Sequence, residues 1–158
     1  MKKFYFILIL VVIVALNASS QNNTDQIVGN WLIAENNMAV EIYKSHNFYE
    51  AKVIWVNDTN DKSTPVNAKC DFRNPEENLR KRKIIGLVVM NGLIYSEQNN
   101  DWEQGKIYDP HSGKNWSAKV SLTKDKLLRV HGYWGFQLLG KDILFKKILA
   151  TNFLTTIK

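Results

Sequence analysis

The sequence predicts an all-β protein, an antiparallel up-and-down barrel of about eight or nine strands with one short helix in a long loop. Three observations support this. Apolar and polar residues alternate with a period of two, short turn signals separate the alternating stretches, and Gly86, Gly105 and Gly132 fall inside strand-like stretches, where they relieve crowding at bends. Alternation is cleanest over residues 115–123, where Trp116, Ala118, Val120 and Leu122 are apolar and every odd position is polar. Tyr49, Ala51, Val53 and Trp55 form a second apolar face, and Leu128, Val130, Gly132 and Trp134 a third. Residues 28–34, 38–44, 84–90, 103–109 and 143–149 complete the strand set on weaker patterns.

Between these stretches, Asp109-Pro110-His111-Ser112-Gly113-Lys114 reads as a hairpin loop and Lys124-Asp125-Lys126 as a tight hairpin. Glu35-Asn36-Asn37 and Asn91-Gly92 are shorter turn cues. The helix is expected at residues 74–80, with Asn74 as N-cap and Pro75 at the first helical position, inside the polar connection 57–83.

The N-terminus has the three parts of a secretory signal. Lys2 and Lys3 precede 13 uncharged residues, Phe4 to Leu16, and Ala18 and Ser20 stand at −3 and −1 of a cut before Gln21. A spanning helix needs about 20 apolar residues, so the run suits a cleaved signal better than an anchor. The expected organisation is a signal over residues 1–20 and one barrel domain over 21–158, periplasmic or secreted, with no transmembrane segment after cleavage. The single cysteine, Cys70, cannot form an internal disulfide, so the core must carry the fold.

The net charge is +6. Without Lys2 and Lys3, 19 basic residues face 15 acidic ones, a charge of +4. The basic run Arg80-Lys81-Arg82-Lys83 lacks a recognition motif around it, which argues against nucleic acid and leaves an envelope component as its partner.

No nucleophile elbow, phosphate loop or dinucleotide fingerprint occurs, so neither an enzyme nor a cofactor is expected. His46, His111 and His131 lack the spacing of a metal site. Asp109, directly before proline, reads as the cap of its turn. The aromatic residues are more informative. If each apolar face points inward, Tyr49, Val53, Trp55, Trp116, Val120, Val130 and Trp134 line the interior, joined by Val40 and Ile42. A barrel of this size is either filled by side chains or holds one small ligand. The number of large rings favours a hollow interior that binds a small apolar or amphipathic molecule. The alternative is a solid barrel whose surface engages the envelope.

Gly29-Asn30-Trp31 opens the first strand in the way lipocalin-type barrels begin. With Glu41-Ile42-Tyr43-Lys44, Lys52-Val53-Ile54-Trp55, Asn74-Pro75, Leu79-Arg80, Gly105-Lys106-Ile107-Tyr108-Asp109-Pro110, Val130-His131-Gly132-Tyr133 and Leu138-Leu139-Gly140, it resembles a family of exported bacterial proteins, domain of unknown function 2147, from Gly29 to about Ile148. The resemblance implies a lipocalin-like barrel and no particular reaction. It also implies a contact closing the barrel between Trp31 and Lys147. This chain has Phe145 where the family usually has tryptophan, and Lys147 where it has arginine.

Overall fold

Alternating strands bury their apolar face by curling the sheet onto itself, and here the sheet closes. In the computed structural model, which describes residues 23–33, 35, 38–57 and 65–149, the strands are β1 (Gly29–Ile33), β2 (Met38–Ser45), β3 (Phe48–Val56), β4 (Val88–Ser96), β5 (Asp101–Asp109), β6 (Lys114–Leu122), β7 (Leu128–Tyr133) and β8 (Gly140–Ile148). Each pairs antiparallel with the next, and β8 returns to β1 with Trp31 opposite Lys147 and Ile33 opposite Phe145. Closure leaves no sheet edge to be covered. The signal-like residues 1–20 lie outside the described residues, as do Asn36 and Asn37 of the first turn cue.

Trp31, Val40, Ile42, Tyr49, Val53, Leu93, Trp102, Val120, Leu128 and Val130 belong to one buried cluster inside the barrel. A second, smaller cluster joins Leu32, Ala39 and Ile148 with Ile54 and Trp55. A bulge explains it. Val40 pairs with Val53, but the next residue back, Ala39, pairs with Trp55, so Ile54 is the extra residue of β3. The alternation slips there, and Trp55 leaves the register of Tyr49 and Val53.

Four sequence expectations need correction. Residues 74–80 form no α-helix; a single 3-10 turn, Glu77–Leu79, has Glu76 at its N-cap. The Asn74 side chain is committed to tertiary partners, and its Oδ1 accepts only the Glu76 amide. Residues 84–87 form a turn closed by the Leu87 amide on the Ile84 carbonyl, so β4 starts at Val88. Asn91-Gly92 lies inside β4, where Gly92 takes φ 73° and the strand continues to Ser96. Gly132 is not crowded, since a Cβ there would meet only ordinary contacts at 4.0 Å.

Gly105 does serve packing, because a Cβ there would lie 2.6 Å from Leu93 Cδ2. The interior is filled at that level. Gly105→Val is therefore expected to cost about 1–3 kcal/mol through overpacking. A urea midpoint equal to the parent's would show slack space beside Leu93.

Candidate functional site

The two ends of the barrel differ. At one end the chain before β1 forms a plug. Ile27 is fully buried, and the Trp31 indole donates to its carbonyl at 2.7 Å. Across the barrel the buried Trp102 indole donates to the Thr24 carbonyl at 2.9 Å. Leaving either N–H unpaired in the interior would cost about 1–3 kcal/mol, so both rings are tied to the plug. The Tyr49 hydroxyl donates to Asp25, and Lys44 pairs with the same carboxylate at 3.3 Å. The tyrosine hydrogen bond, aided by Lys44, holds Asp25 below the usual carboxylate range. Lys147 Nζ lies 5.2 Å from the Trp31 ring centroid and 3.2 Å from the Gln26 carbonyl. A cation over an indole at such an exposed position adds about 0.5–1 kcal/mol.

At the other end, the connection between β3 and β4 folds over part of the rim and is latched there. Asp71 is fully buried. It accepts from the Tyr108 hydroxyl at 2.6 Å, Asn74 Nδ2 at 2.9 Å and Arg82 Nε at 2.9 Å, while Arg82 lies over the Tyr108 ring. Burial, and then the hydrogen bond to Asp71, raise the Tyr108 pKa. A carboxylate out of water is tolerable only with such a set of partners. The latch accounts for most of the basic run: Arg82 holds Asp71, Arg80 donates to the Asn74 carbonyl, and Lys83 to that of Ala68. Ile84 and Ile85 then pack on the core.

The rest of this rim is open. The inward register of β6 runs from Val120 through Ala118 to Trp116, which is half-buried where the strand begins. Trp134, one residue beyond β7 and 75% exposed, meets Trp116 edge to face at 6.2 Å. Beside this pair lies an open groove of about 490 Å³, lined also by Lys106, Asn115, Ser117 and Tyr133. Lys106, Ser117 and Tyr133 are register neighbours across β5, β6 and β7, so one cation and two hydroxyls line the groove together with the two tryptophans.

Next to the groove, His131 stacks on Tyr133 and joins two elements. Its Nδ1 lies 2.6 Å from Asp142 Oδ1 and its Nε2 2.7 Å from the Gln137 carbonyl. Both neighbours are acceptors, so the arrangement suits the doubly protonated ring, and the Asp142 contact raises the pKa above 6.5, the Gln137 carbonyl assisting. A Cβ at Gly140 would run into this ring and the Gly132 carbonyl.

Of the nine expected pocket residues, Val40, Ile42, Tyr49, Val53, Val120 and Val130 lie together in the packed core. Trp116 stands at the rim, while Trp55 and Trp134 lie off the interior for the reasons given above. The sequence pattern starts β5 at Glu103 and so passes over Trp102, although the strand begins at Asp101. The pattern also misses the Asp71–Asn74–Arg82–Tyr108 latch, whose members are scattered along a polar connection. Asp109 caps its turn as expected, accepting from the His111 amide and the Ser112 hydroxyl. No group of three or more His, Cys, Asp or Glu side chains among the described residues could hold a metal ion. No helix among them is long and apolar enough to cross a membrane.

A family model described as an uncharacterized protein conserved in bacteria (DUF2147) matches residues 29–147. No curated protein matches the sequence. Among solved structures, the fold is similar to protein HP1028 from the human pathogen Helicobacter pylori, described as belonging to the lipocalin family. The TM-score is 0.67 at 21% identity, covering 82% of this chain and 87% of the other.

The contact with Asp142 makes His131 a pH-sensitive element of this rim. Since its folded pKa is raised, the stability it contributes is complete below 6.5 and is lost as pH rises through the raised value. Replacing Asp142 with Asn should move the His131 titration, followed by NMR, to lower pH. An unchanged midpoint would remove Asp142 as the cause.

Proposed function

Because the chain belongs to the DUF2147 family of uncharacterized bacterial proteins and folds as a lipocalin-like barrel, we propose that it is an exported, non-catalytic binding protein. Its ligand is a small amphipathic molecule held at the open rim. The observation that carries this reading is the polarity of the barrel. Trp31 and Trp102 are spent on the plug, whereas Trp116 and Trp134 present their rings beside a groove with one cation. Ligand sites are largely apolar concavities with a few orienting polar groups. An apolar tail would lie on the indoles, with an anionic or hydrogen-bonding head toward Lys106, Ser117 and Tyr133. The site thus moves from the deep interior, which Tyr49, Leu93 and Trp102 fill, to its mouth. That filling favours a second reading, a solid barrel engaging an envelope component without a ligand. The buried polar groups Asp71 and Asn74 are engaged with each other and with Tyr108 and Arg82, which suits a holding role over a catalytic one.

Titration with dodecanoate should quench or blue-shift tryptophan emission and saturate. Trp116→Ala should weaken binding by about 2 kcal/mol, the loss typical of a stacking anchor. A titration that never saturates with dodecanoate or a quinone would leave only the solid-barrel reading.

Export is supported by Lys2, Lys3, the uncharged run Phe4 to Leu16, and the small residues Ala18 and Ser20. N-terminal sequencing of the extracytoplasmic protein should begin within a few residues of Gln21. Membrane-bound material retaining Met1 would contradict it.

A further inference from the structure

The loop 134–139 between β7 and β8 is the most apolar exposed stretch among the described residues. Trp134, Phe136, Leu138 and Leu139 are 75%, 78%, 94% and 72% exposed. Four large apolar side chains within six residues exceed the scattered apolar exposure of an ordinary surface. The loop is nevertheless shaped: the Leu139 amide donates to the Phe136 carbonyl at 3.0 Å, and His131, on the outer face beside Lys119 and Asp142, holds the Gln137 carbonyl. That contact ties the loop to β7 and, through Asp142, to β8. Three lysines flank it, and the neighbouring carboxylates Asp142 and Asp109 are engaged by His131 and by the β5–β6 turn. Lys141 starts the descent of β8, Lys106 borders the groove beside Trp134, and Lys114 opens β6; all three are exposed, and none is ion-paired among the described residues.

We propose that loop 134–139 docks the barrel onto a lipid bilayer bearing anionic head groups. Phe136, Leu138 and Leu139 enter the acyl boundary, Trp134 takes the interfacial depth that indoles prefer, and the three lysines meet the phosphates. Charge decides between this occupant and a second copy of the chain: a symmetric contact through the same patch would set Lys106, Lys114 and Lys141 against their own counterparts, whereas an anionic surface neutralises them. The patch shares Trp134 and Lys106 with the ligand groove, so the test rests on Phe136 and Leu138, which do not line it.

The test is co-sedimentation of the protein recovered from its host with vesicles of phosphatidylcholine alone and of phosphatidylcholine with phosphatidylglycerol in equal parts. The parent should bind the mixed vesicles more strongly, and less so as salt rises. Phe136→Ser with Leu138→Ser should lower the bound fraction about tenfold or more, since two inserted side chains are lost. Neither residue lines the groove, so the variant should keep its dodecanoate titration, and the same N-terminus in both proteins cancels any contribution from that segment. Leu138→Ser alone, at the most exposed position, should give an intermediate loss even if the double variant folds poorly. Equal binding of parent and variants, or no preference for the anionic vesicles, would overturn the proposal. So would a concentration-dependent dimer that the substitutions dissolve, which would assign the patch to a second copy.

Discussion

Closure of the barrel depends on the pairing of β8 with β1, and that pairing meets the N-terminal plug at Trp31. The strand containing Trp31 is bonded to β2 on one side and β8 on the other, so every strand has two neighbours. Inside, the Trp31 indole must find an acceptor, and it finds the Ile27 carbonyl. Trp102 repeats the arrangement from the opposite wall with Thr24. Two large rings thus fix a short segment that would otherwise have little reason to order. The segment in turn seals one end of the barrel.

The other rim is built from unlike parts. On the β3–β4 side, a long polar connection is drawn in by a buried carboxylate whose partners come from three places along the chain. On the β5–β7 side, no comparable cover exists among the described residues, and two indoles meet beside Lys106. The latch and the groove are therefore complementary. One gives the rim a fixed shape, and the other leaves two indoles beside an open groove. His131 links this groove to the β7–β8 loop through contacts that depend on its proton.

Much of the fold was legible because period-two alternation reports burial directly. Residues 115–123 alternate over almost the whole of β6, whereas the pairing of Trp31 with Lys147 came from the family resemblance and not from alternation. The errors have local physical causes. The Ile54 bulge shifts Trp55 by one register, which no count of alternation can foresee. Asn91-Gly92 carries a turn's chemistry but is held inside β4 by its neighbours. Asn74 and Pro75 carry the chemistry of a helix start, yet the Asn74 side chain is claimed by Asp71, three residues earlier, and by Tyr108 of β5. The candidate site was only half visible for the same reason. Alternation found Trp116, but the groove depends on β7 ending at Tyr133, which leaves Trp134 free to meet Trp116 at the rim.

Of the five tryptophans, Trp31 and Trp102 tie the plug at one end, and on the proposed function Trp116 and Trp134 meet ligand at the other. The most direct test is an NMR titration of the five indole N–H signals with dodecanoate. With the ligand at the rim, the Trp116 and Trp134 signals should move on binding while those of Trp31 and Trp102 keep their positions and stay protected from exchange. Movement of Trp31 and Trp102 with the rim signals unchanged would place the ligand in the interior and contradict it.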